Sequence, residues 1–73
     1  MITYDNFWKT LKKRNISQYE LINTYKISRG LLYRMKKNDS ITTHTLNELC
    51  DILECDVSDI IQYKKTTSLE TKE

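Results

Sequence analysis

The chain has 73 residues, enough for one small domain with a single core, which a second copy or a bound partner would help to stabilise. It contains no apolar run of about 18 residues, the length that a membrane-spanning helix needs, and it does not begin with the basic and then apolar segment of a secretory signal. We therefore expect a cytoplasmic protein without a membrane partner.

The net charge of +2 is unevenly distributed. Residues 1–37 contain nine Lys and Arg against two acids, whereas residues 38–73 contain three Lys against eight acids. A basic half beside an acidic half suits a molecule that docks one face on a polyanion such as nucleic acid. A merely solvated run of charges is the alternative interpretation.

The first helix is predicted over residues 4–14, where aromatic and leucine side chains recur at helical spacing. Thr3 or Asp5 is expected to cap its start. The Lys and Arg residues at its end suit the negative pole of the helix dipole, which gives this basic cluster a structural explanation. The apolar face is formed by Tyr4, Phe7, Trp8 and Leu11.

Two short helical patterns follow, over residues 17–25 and 28–37, and each opens with a serine. A serine at a helix start accepts a hydrogen bond from a free backbone N–H of the first turn, so Ser17 and Ser28 are predicted caps. Helices joined by so short a turn must cross at a steep angle. This arrangement is the helix-turn-helix, whose second helix enters the DNA major groove.

Turn-forming residues 38–41 precede another predicted helix, which begins at Thr42 or Thr43 and runs to about Leu53. Its N-terminus would favour an anion such as phosphate, and a plain capping role is the alternative for the two threonines. Residues 56–63 are predicted to form a short closing helix. The polar, aperiodic residues 64–73 are expected to form a flexible tail.

The two cysteines, Cys50 and Cys55, indicate neither a metal site nor a disulfide. Together with His44 they are too few, and wrongly spaced, for zinc. Reduced thiols that pack as small apolar groups are the better interpretation. We expect no metal and no other cofactor. We also expect no catalytic residue and no enzyme, because the chain has neither a Gly-rich phosphate loop nor a nucleophile and histidine at a recognisable spacing.

Two segments carry a resemblance to a known family: Ser17-Gln18-x-x-Leu21-Ile22 and Ile27-Ser28-Arg29-x-x-Leu32-x-Arg34-Met35. They resemble the Cro-like and lambda-repressor-like helix-turn-helix regulators (the xenobiotic-response-element family), and the apolar spacing of residues 41–60 is similar to that family's fourth and fifth helices. The resemblance covers residues 4–63. It implies an all-α, five-helix lambda-repressor-like DNA-binding domain in residues 1–63. Lys26 departs from the family, which usually has Gly there in a left-handed conformation that costs Lys on the order of 1 kcal/mol.

The second helix of the motif, residues 28–37, is expected to read bases through Arg29, Gly30, Leu31 and Tyr33. Arg29, at the helix start, can bond guanine O6 and N7 together, which is worth ~1–3 kcal/mol of discrimination. Gly30 costs roughly 1 kcal/mol relative to Ala inside a helix, and it either admits close approach to DNA or is an accident of sequence. Leu31 would touch a thymine methyl or belong to the core. Tyr33 would offer its hydroxyl to a phosphate or its ring to a thymine methyl.

A second set of residues is expected to bind phosphates, and so to fix the register of the protein on the duplex. The resemblance assigns this role to Gln18, for which a plain surface position is the alternative. Arg34 has an alternative role in an ion pair with Glu20. The set comprises Gln18, Ser28, Arg34, Lys37, Asn38, Ser40, Thr42 and Thr43.

These observations predict a sequence-specific transcriptional regulator, a repressor, that binds double-stranded DNA. A single small module reads few base pairs, so we expect a homodimer on a two-fold site, formed through the closing helix and its flank. No ligand domain is recognisable, and no small-molecule ligand is expected. The competing hypothesis is that the same fold serves as a protein-interaction adaptor, as an antitoxin-like protein or the partner of a phage-type regulator.

Overall fold

The computed structural model describes residues 1–65 and shows four α-helices, with the two ends of the chain joined in a short ribbon. The longest helix has 11 residues, and none of the helices in this part of the chain is long and apolar enough to cross a membrane. In chain order the elements are β1 (Ile2–Thr3), α1 (Asp5–Lys13), α2 (Gln18–Asn23), α3 (Arg29–Lys36), α4 (Thr43–Leu53), a 3-10 turn (Val57–Asp59) and β2 (Gln62–Tyr63).

Each helix turns an apolar stripe towards a shared core. Phe7 of α1, Leu21 of α2 and Met35 of α3 are completely buried. Ile60, which follows the 3-10 turn, is also completely buried, so the end of the chain completes the core. Trp8 is half-buried and packs edge to face against Phe7, with the ring centroids 4.8 Å apart. Because side chains three and four positions apart share a helix face, this burial leaves the opposite faces to solvent.

Three of the four helices begin at a side-chain cap that the sequence predicts. Ser17, Ser28 and Thr42 each accept a hydrogen bond from the backbone N–H three residues later, at 3.0–3.1 Å. Each bond satisfies one of the N–H groups that a helix start leaves without a partner, and a cap of this kind contributes about 1 kcal/mol. The starts of α2, α3 and α4 are therefore confirmed.

The start of α1 differs from the prediction. Its N-cap residue is Tyr4, and no side chain caps the helix, so Thr3 and Asp5 were wrongly predicted as caps. Thr3 belongs to β1, and its buried hydroxyl oxygen has no hydrogen-bond partner among the described residues. Asp5 lies inside the first turn, where its negative charge suits the positive end of the helix.

The prediction of a closing helix over residues 56–63 is wrong. Residues 57–59 form a single 3-10 turn, which starts with a capping box between Asp56 and Asp59. The chain then extends into β2, which pairs antiparallel with β1 in the register Ile2↔Tyr63 and Thr3↔Gln62. The helical core of the all-α prediction is correct, but a two-stranded ribbon takes the place of a fifth helix because strand pairing between the chain ends replaces local helical bonding there.

Lys64 extends the pairing of the two strands, although we predicted it to belong to the flexible tail. Its N–H donates to the carbonyl of Met1 at 2.8 Å, and its carbonyl accepts from the amino nitrogen of Met1 at 2.7 Å. Its ammonium lies 2.6 Å from the carboxylate of Asp5. The pKa of the Asp5 carboxyl is lowered, chiefly by this hydrogen bond from Lys64. Residues 66–73, the rest of the predicted tail, lie outside the described residues.

Four residues with a positive φ lie at the ends of the four helices: Asn15 (58°), Lys26 (61°), Asn38 (59°) and Glu54 (51°). The left-handed conformation predicted at Lys26 is confirmed. Asparagine tolerates this conformation well, whereas Lys and Glu pay roughly 1–2 kcal/mol for it. The conformation lets the chain leave the helix and lets a backbone N–H turn back to the last helical carbonyls.

Such a bond is present at all four helix ends; after α2 it joins Ile27 N–H to the Leu21 carbonyl at 2.9 Å. It also joins Ile16 N–H to the Leu11 carbonyl at 2.9 Å after α1, and Cys55 N–H to the Cys50 carbonyl at 3.1 Å after α4. The corresponding bond after α3 is made by Asp39, at 2.9 Å. These bonds end the helices abruptly, so the connecting segments leave in fixed directions.

Candidate nucleic-acid interface

The turn between α2 and α3 is fixed by Ile27. Its side chain is buried in the core and its N–H donates to the carbonyl of Leu21 at 2.9 Å. The next residue, Ser28, caps α3, so the second helix starts immediately after the turn. Residues 24–28 thus join two short helices, the order of elements that is typical of a helix-turn-helix.

The outward face of α3 carries the residues predicted to meet DNA. Leu32 and Met35 are buried against the core, and Arg29, Tyr33 and Lys37 are exposed on the other side of the helix. Tyr33 keeps 62% of its surface exposed. The Lys37 ammonium lies 5.1 Å from the centre of the Tyr33 ring, a cation–π distance that orders both side chains.

An open groove between α2 and α3 brings Gln18 together with two of the predicted base-reading residues. Its walls include Gln18 at the start of α2, and Arg29 and Tyr33 on α3. Gln18 is exposed and its backbone N–H belongs to the first turn of α2. Gln18 and Arg29 are 11 positions apart in the sequence. The turn between α2 and α3 brings them into the same groove.

Leu31 lies in the core. Only 8% of its surface is exposed, and it packs in the same apolar cluster as Leu49 of α4. Of the two roles that the sequence leaves open for Leu31, the structure therefore favours packing over contact with a thymine methyl. Leu31 thus lies on the buried side of α3, together with Leu32 and Met35.

Gly30 lies on the exposed side of α3 and has no internal reason to be glycine. Its φ is not positive, and a Cβ added there would meet no atom within 4 Å. Neither the backbone conformation nor packing within the described residues requires it. The helix therefore carries a cost of roughly 1 kcal/mol without a compensating contact in the protein itself.

The start of α4 presents the second group of predicted phosphate ligands. The Thr42 hydroxyl accepts from Thr45 N–H at 3.1 Å and lies at hydrogen-bond distance from the Thr45 hydroxyl, also 3.1 Å, so it is used inside the protein. Thr43 is exposed, and its backbone N–H belongs to the first turn of the helix. Free N–H groups and the helix dipole favour an anion at this place.

The loop after α3 is fastened by Tyr4, a residue to which the sequence assigned only packing. Tyr4 is 2% exposed; its N–H donates to Asn38 Oδ1 at 3.3 Å, and its hydroxyl donates to the Asp39 carbonyl at 2.6 Å. Burial, and then the negative charge of Asp39, raise the pKa of the Tyr4 hydroxyl, so it stays protonated and able to donate. Asn38 keeps its amide N–H groups for another partner, and Ser40 is exposed in the same loop.

Arg34 does not pair with Glu20. Within residues 1–65 the Lys64 ammonium pairs with Asp5, and the His44 imidazole lies 3.5 Å from the Glu48 carboxylate. Arg34 instead borders an open groove of about 500 Å³ between α3 and α4, which Ser28 and Glu48 also line. The guanidinium is therefore left for a ligand at the edge of the exposed face.

Arg14 has a structural role. Its guanidinium donates to the carbonyls of Leu53 and Glu54, at the C-terminal end of α4. A cation suits this negative end of the helix. Since α4 has 11 residues, its two ends are ~16 Å apart, and Arg14 lies far from Thr43 at the other end.

The two thiols lie near the same end of α4. Cys50 and Cys55 are both half-buried and free, and they share the wall of one open cleft. Burial, together with neighbouring acids such as Asp56, raises the pKa of the Cys50 thiol; burial is also the main cause of the raised pKa of Cys55. Thiols with raised pKa values react slowly, which agrees with a packing role.

Comparison with known proteins agrees with this geometry. A model of the Cro/C1-type helix-turn-helix DNA-binding domain matches residues 6–66. Among curated proteins, none matches the chain. Among solved structures, the crystal structure of the transcriptional regulator VanUg is 30% identical in sequence, with a TM-score of 0.74 over 84% of this chain and 81% of that one. The chain therefore belongs to the Cro/C1-type helix-turn-helix DNA-binding domain family.

Proposed function

We propose that this protein is a sequence-specific transcriptional regulator that binds double-stranded DNA with α3 in the major groove and acts as a repressor. The observation that carries the proposal is the outward face of α3. This face combines the Arg29 guanidinium and the exposed Tyr33 ring with the flanking cations Arg34 and Lys37, and none of them is used inside the described part of the protein by an ion pair.

Base recognition falls to the first turns of α3. Arg29 is its first residue, the position from which recognition helices reach base edges, and an arginine there can bond guanine O6 and N7 together. Tyr33 lies one turn further along the same face and can meet a thymine methyl or a phosphate. Gly30, with open space around its Cα, lets the helix lie close to the bases.

Phosphate contacts would hold this helix in place from both sides. On one side stands Gln18 at the start of α2, and on the other are the start of α4 and the loop before it. Since the Thr42 hydroxyl is used as a cap, the contact there falls to the free backbone N–H groups and to Thr43. The proposed phosphate set is Gln18, Ser28, Arg34, Lys37, Asn38, Ser40, Thr42 and Thr43. Ser28 and Thr42 would contact phosphate through their backbone N–H groups, because their hydroxyls cap α3 and α4.

We propose a homodimer on a two-fold operator as the working form. One such module covers only a few base pairs, and two copies on one site multiply its specificity. Repression is the simplest outcome for a small protein of this kind, because occupying an operator is enough to exclude other proteins from it. The likeness to VanUg, a transcriptional regulator, supports a role in transcription.

The proposal is tested by selecting bound duplexes from a random DNA pool with the purified protein. We expect an enriched two-fold motif whose half-sites are ~34 Å apart, one helical turn. Binding to the selected duplex should weaken steeply with salt, because neutralised phosphates release counterions. A pool without enrichment, and a retention that salt hardly changes, would contradict the proposal and favour the protein-interaction adaptor.

A further inference from the structure

One face of the protein is apolar and borders the proposed DNA contacts at the start of α4. On the ribbon, Ile2 and Tyr63 are directly opposed and remain 44% and 66% exposed. A shallow apolar cleft joins Ile2 and Ile61 to Leu46 of α4, and a second cleft joins Leu46 to Val57, which is 43% exposed. We call this surface the ribbon–α4 face: Ile2, Leu46, Val57, Ile61 and Tyr63.

The backbone of the ribbon also has free hydrogen-bonding groups. Met1 and Lys64 exchange both of their backbone bonds. In an antiparallel ladder such pairs alternate with pairs that turn their N–H and C=O groups outward, so those of Ile2 and Tyr63 point away from the ribbon. Among residues 1–65 these outward groups bond to no other element. The ribbon therefore has two open edges, each able to accept another strand.

The charge of the face selects the kind of partner. None of its five side chains is ionisable near neutral pH, although Asp56 lines the cleft beside Val57. The adjacent charges of Asp5 and Lys64 neutralise one another at 2.6 Å. Across a two-fold axis each residue meets the same surface of its partner, so a charged face would repel itself and an apolar one does not. Antiparallel pairing of two identical strand edges has the same two-fold symmetry.

The position of the face fits the DNA site. The cleft between Ile2 and Leu46 is also lined by Ser40 and Thr43, two of the proposed phosphate ligands. A partner on this face would therefore lie beside these phosphate ligands and partly on them, and no residue of α3 lines either cleft of the face. An interface of ordinary size needs ~800 Å² from each copy, roughly 15% of the 5194 Å² accessible surface of the chain.

We infer that a second copy of this chain packs on the ribbon–α4 face across a two-fold axis, with the free ribbon edges side by side. The inference rests on the proposed function in one respect, since a two-fold operator gives the pair its purpose. It also replaces the closing helix, which the structure lacks, as the dimer surface.

The test is the molar mass of the full chain in solution, measured by light scattering over a wide concentration range. We expect a dimer for the wild type. Tyr63→Glu places a charge on the ribbon–α4 face and should raise the dimer dissociation constant at least ~tenfold. The matched control is Tyr19→Glu, a tyrosine on α2 that is 75% exposed and lies outside the face; this variant should remain dimeric.

Ile2→Glu is the second variant, on the opposite strand, and circular dichroism checks that each variant folds. A folded Tyr63→Glu or Ile2→Glu variant that dimerises like the wild type would overturn the inference, as would a wild type that is monomeric both alone and on DNA. A wild type that is monomeric under both conditions would indicate that the ribbon–α4 face binds a different protein. Titration of a half-site duplex separates the two proposals: a monomer that still prefers one sequence keeps the proposed function, whereas a dimer without sequence preference loses it.

Discussion

α1 and α3 are both basic helices, but their cations face different surroundings. The run of cations at residues 12–14 stands at the negative end of α1, and its last member, Arg14, donates to carbonyls at the end of α4. The cations of α3 include Arg29 and Arg34, which share an exposed surface with the Tyr33 ring. Positive charge alone therefore does not identify a DNA-binding surface; the groups that each cation faces decide its role.

The largest effect is expected from Arg29, the cation that we propose reads bases. Arg29→Ala should reduce the preference for the operator over a scrambled duplex by ~1–3 kcal/mol, because the paired bond to guanine is lost. The measurement is a competition titration with both duplexes. Lys9→Ala, an exposed cation on α1, is the control and should change neither affinity. An equal loss on both duplexes would instead make Arg29 a phosphate ligand.

The next effect is on stability and concerns α1. Arg14→Ala should lower the free energy of unfolding by about 1–2 kcal/mol, because the last carbonyls of α4 lose a charged donor. Urea denaturation measures this loss. Lys13→Ala removes a neighbouring exposed cation and should change stability by less than ~0.5 kcal/mol. If Arg14→Ala weakened DNA binding of the folded protein, the cations of α1 would also act in DNA binding. The difference in role that we describe between α1 and α3 would then be wrong.

A third change tests how the loop after α3 is held. Tyr4→Phe keeps the buried ring but removes the hydrogen bond to the Asp39 carbonyl. We expect a loss of about 1 kcal/mol in stability and weaker binding to all duplexes, with unchanged sequence preference. Tyr19→Phe, on an exposed tyrosine, is the control. Unchanged DNA affinity in Tyr4→Phe would mean that the loop after α3 does not contact the DNA backbone.

Gly30→Ala should act in opposite directions on folding and on binding. The free energy of unfolding should rise by up to ~1 kcal/mol, because Ala favours the helix and the added Cβ meets open space. Affinity for the operator should nevertheless fall, since the methyl group stands where the helix approaches DNA. A more stable variant with unchanged affinity would show that the glycine is an accident of sequence.

The smallest effect compares one lysine from each helix. Lys37→Ala should weaken binding to every duplex about equally and reduce the slope of log affinity against log salt by ~1, because one phosphate contact is lost. Lys13→Ala should leave the slope unchanged. The comparison fails if both variants lower the slope alike, since α1 would then also lie against the duplex.

Local chemistry made the helix starts predictable. A serine or threonine cap accepts a hydrogen bond from the backbone N–H three residues later. The sequence pattern that predicts the caps at Ser17, Ser28 and Thr42 therefore lies within one helical turn. The left-handed residue at Lys26 was predictable from the resemblance for a similar reason, because the tight turn requires it. The helix-turn-helix motif could therefore be predicted from its sequence.

The ribbon and the details of the site could not be predicted. Strands of two residues have no periodicity, and Ile2 finds its partner Tyr63 at the other end of the chain. Tyr4 fits an apolar stripe whether or not its hydroxyl reaches Asp39. The side on which Leu31 lies depends on how α3 rotates against α4. Each of these features depends on contacts between distant segments, which a local pattern does not contain.

The single glycine of the chain lies inside α3, whereas left-handed conformations at helix ends are taken by Lys26, Glu54 and two asparagines. A conformational cost of about 1 kcal/mol changes the ratio of folded to unfolded molecules roughly fivefold. Unfolded molecules are the ones that cellular proteases degrade. We therefore expect this protein to have a shorter lifetime in the cell than a variant with glycine at positions 26 and 54, so that its amount follows its rate of synthesis more closely.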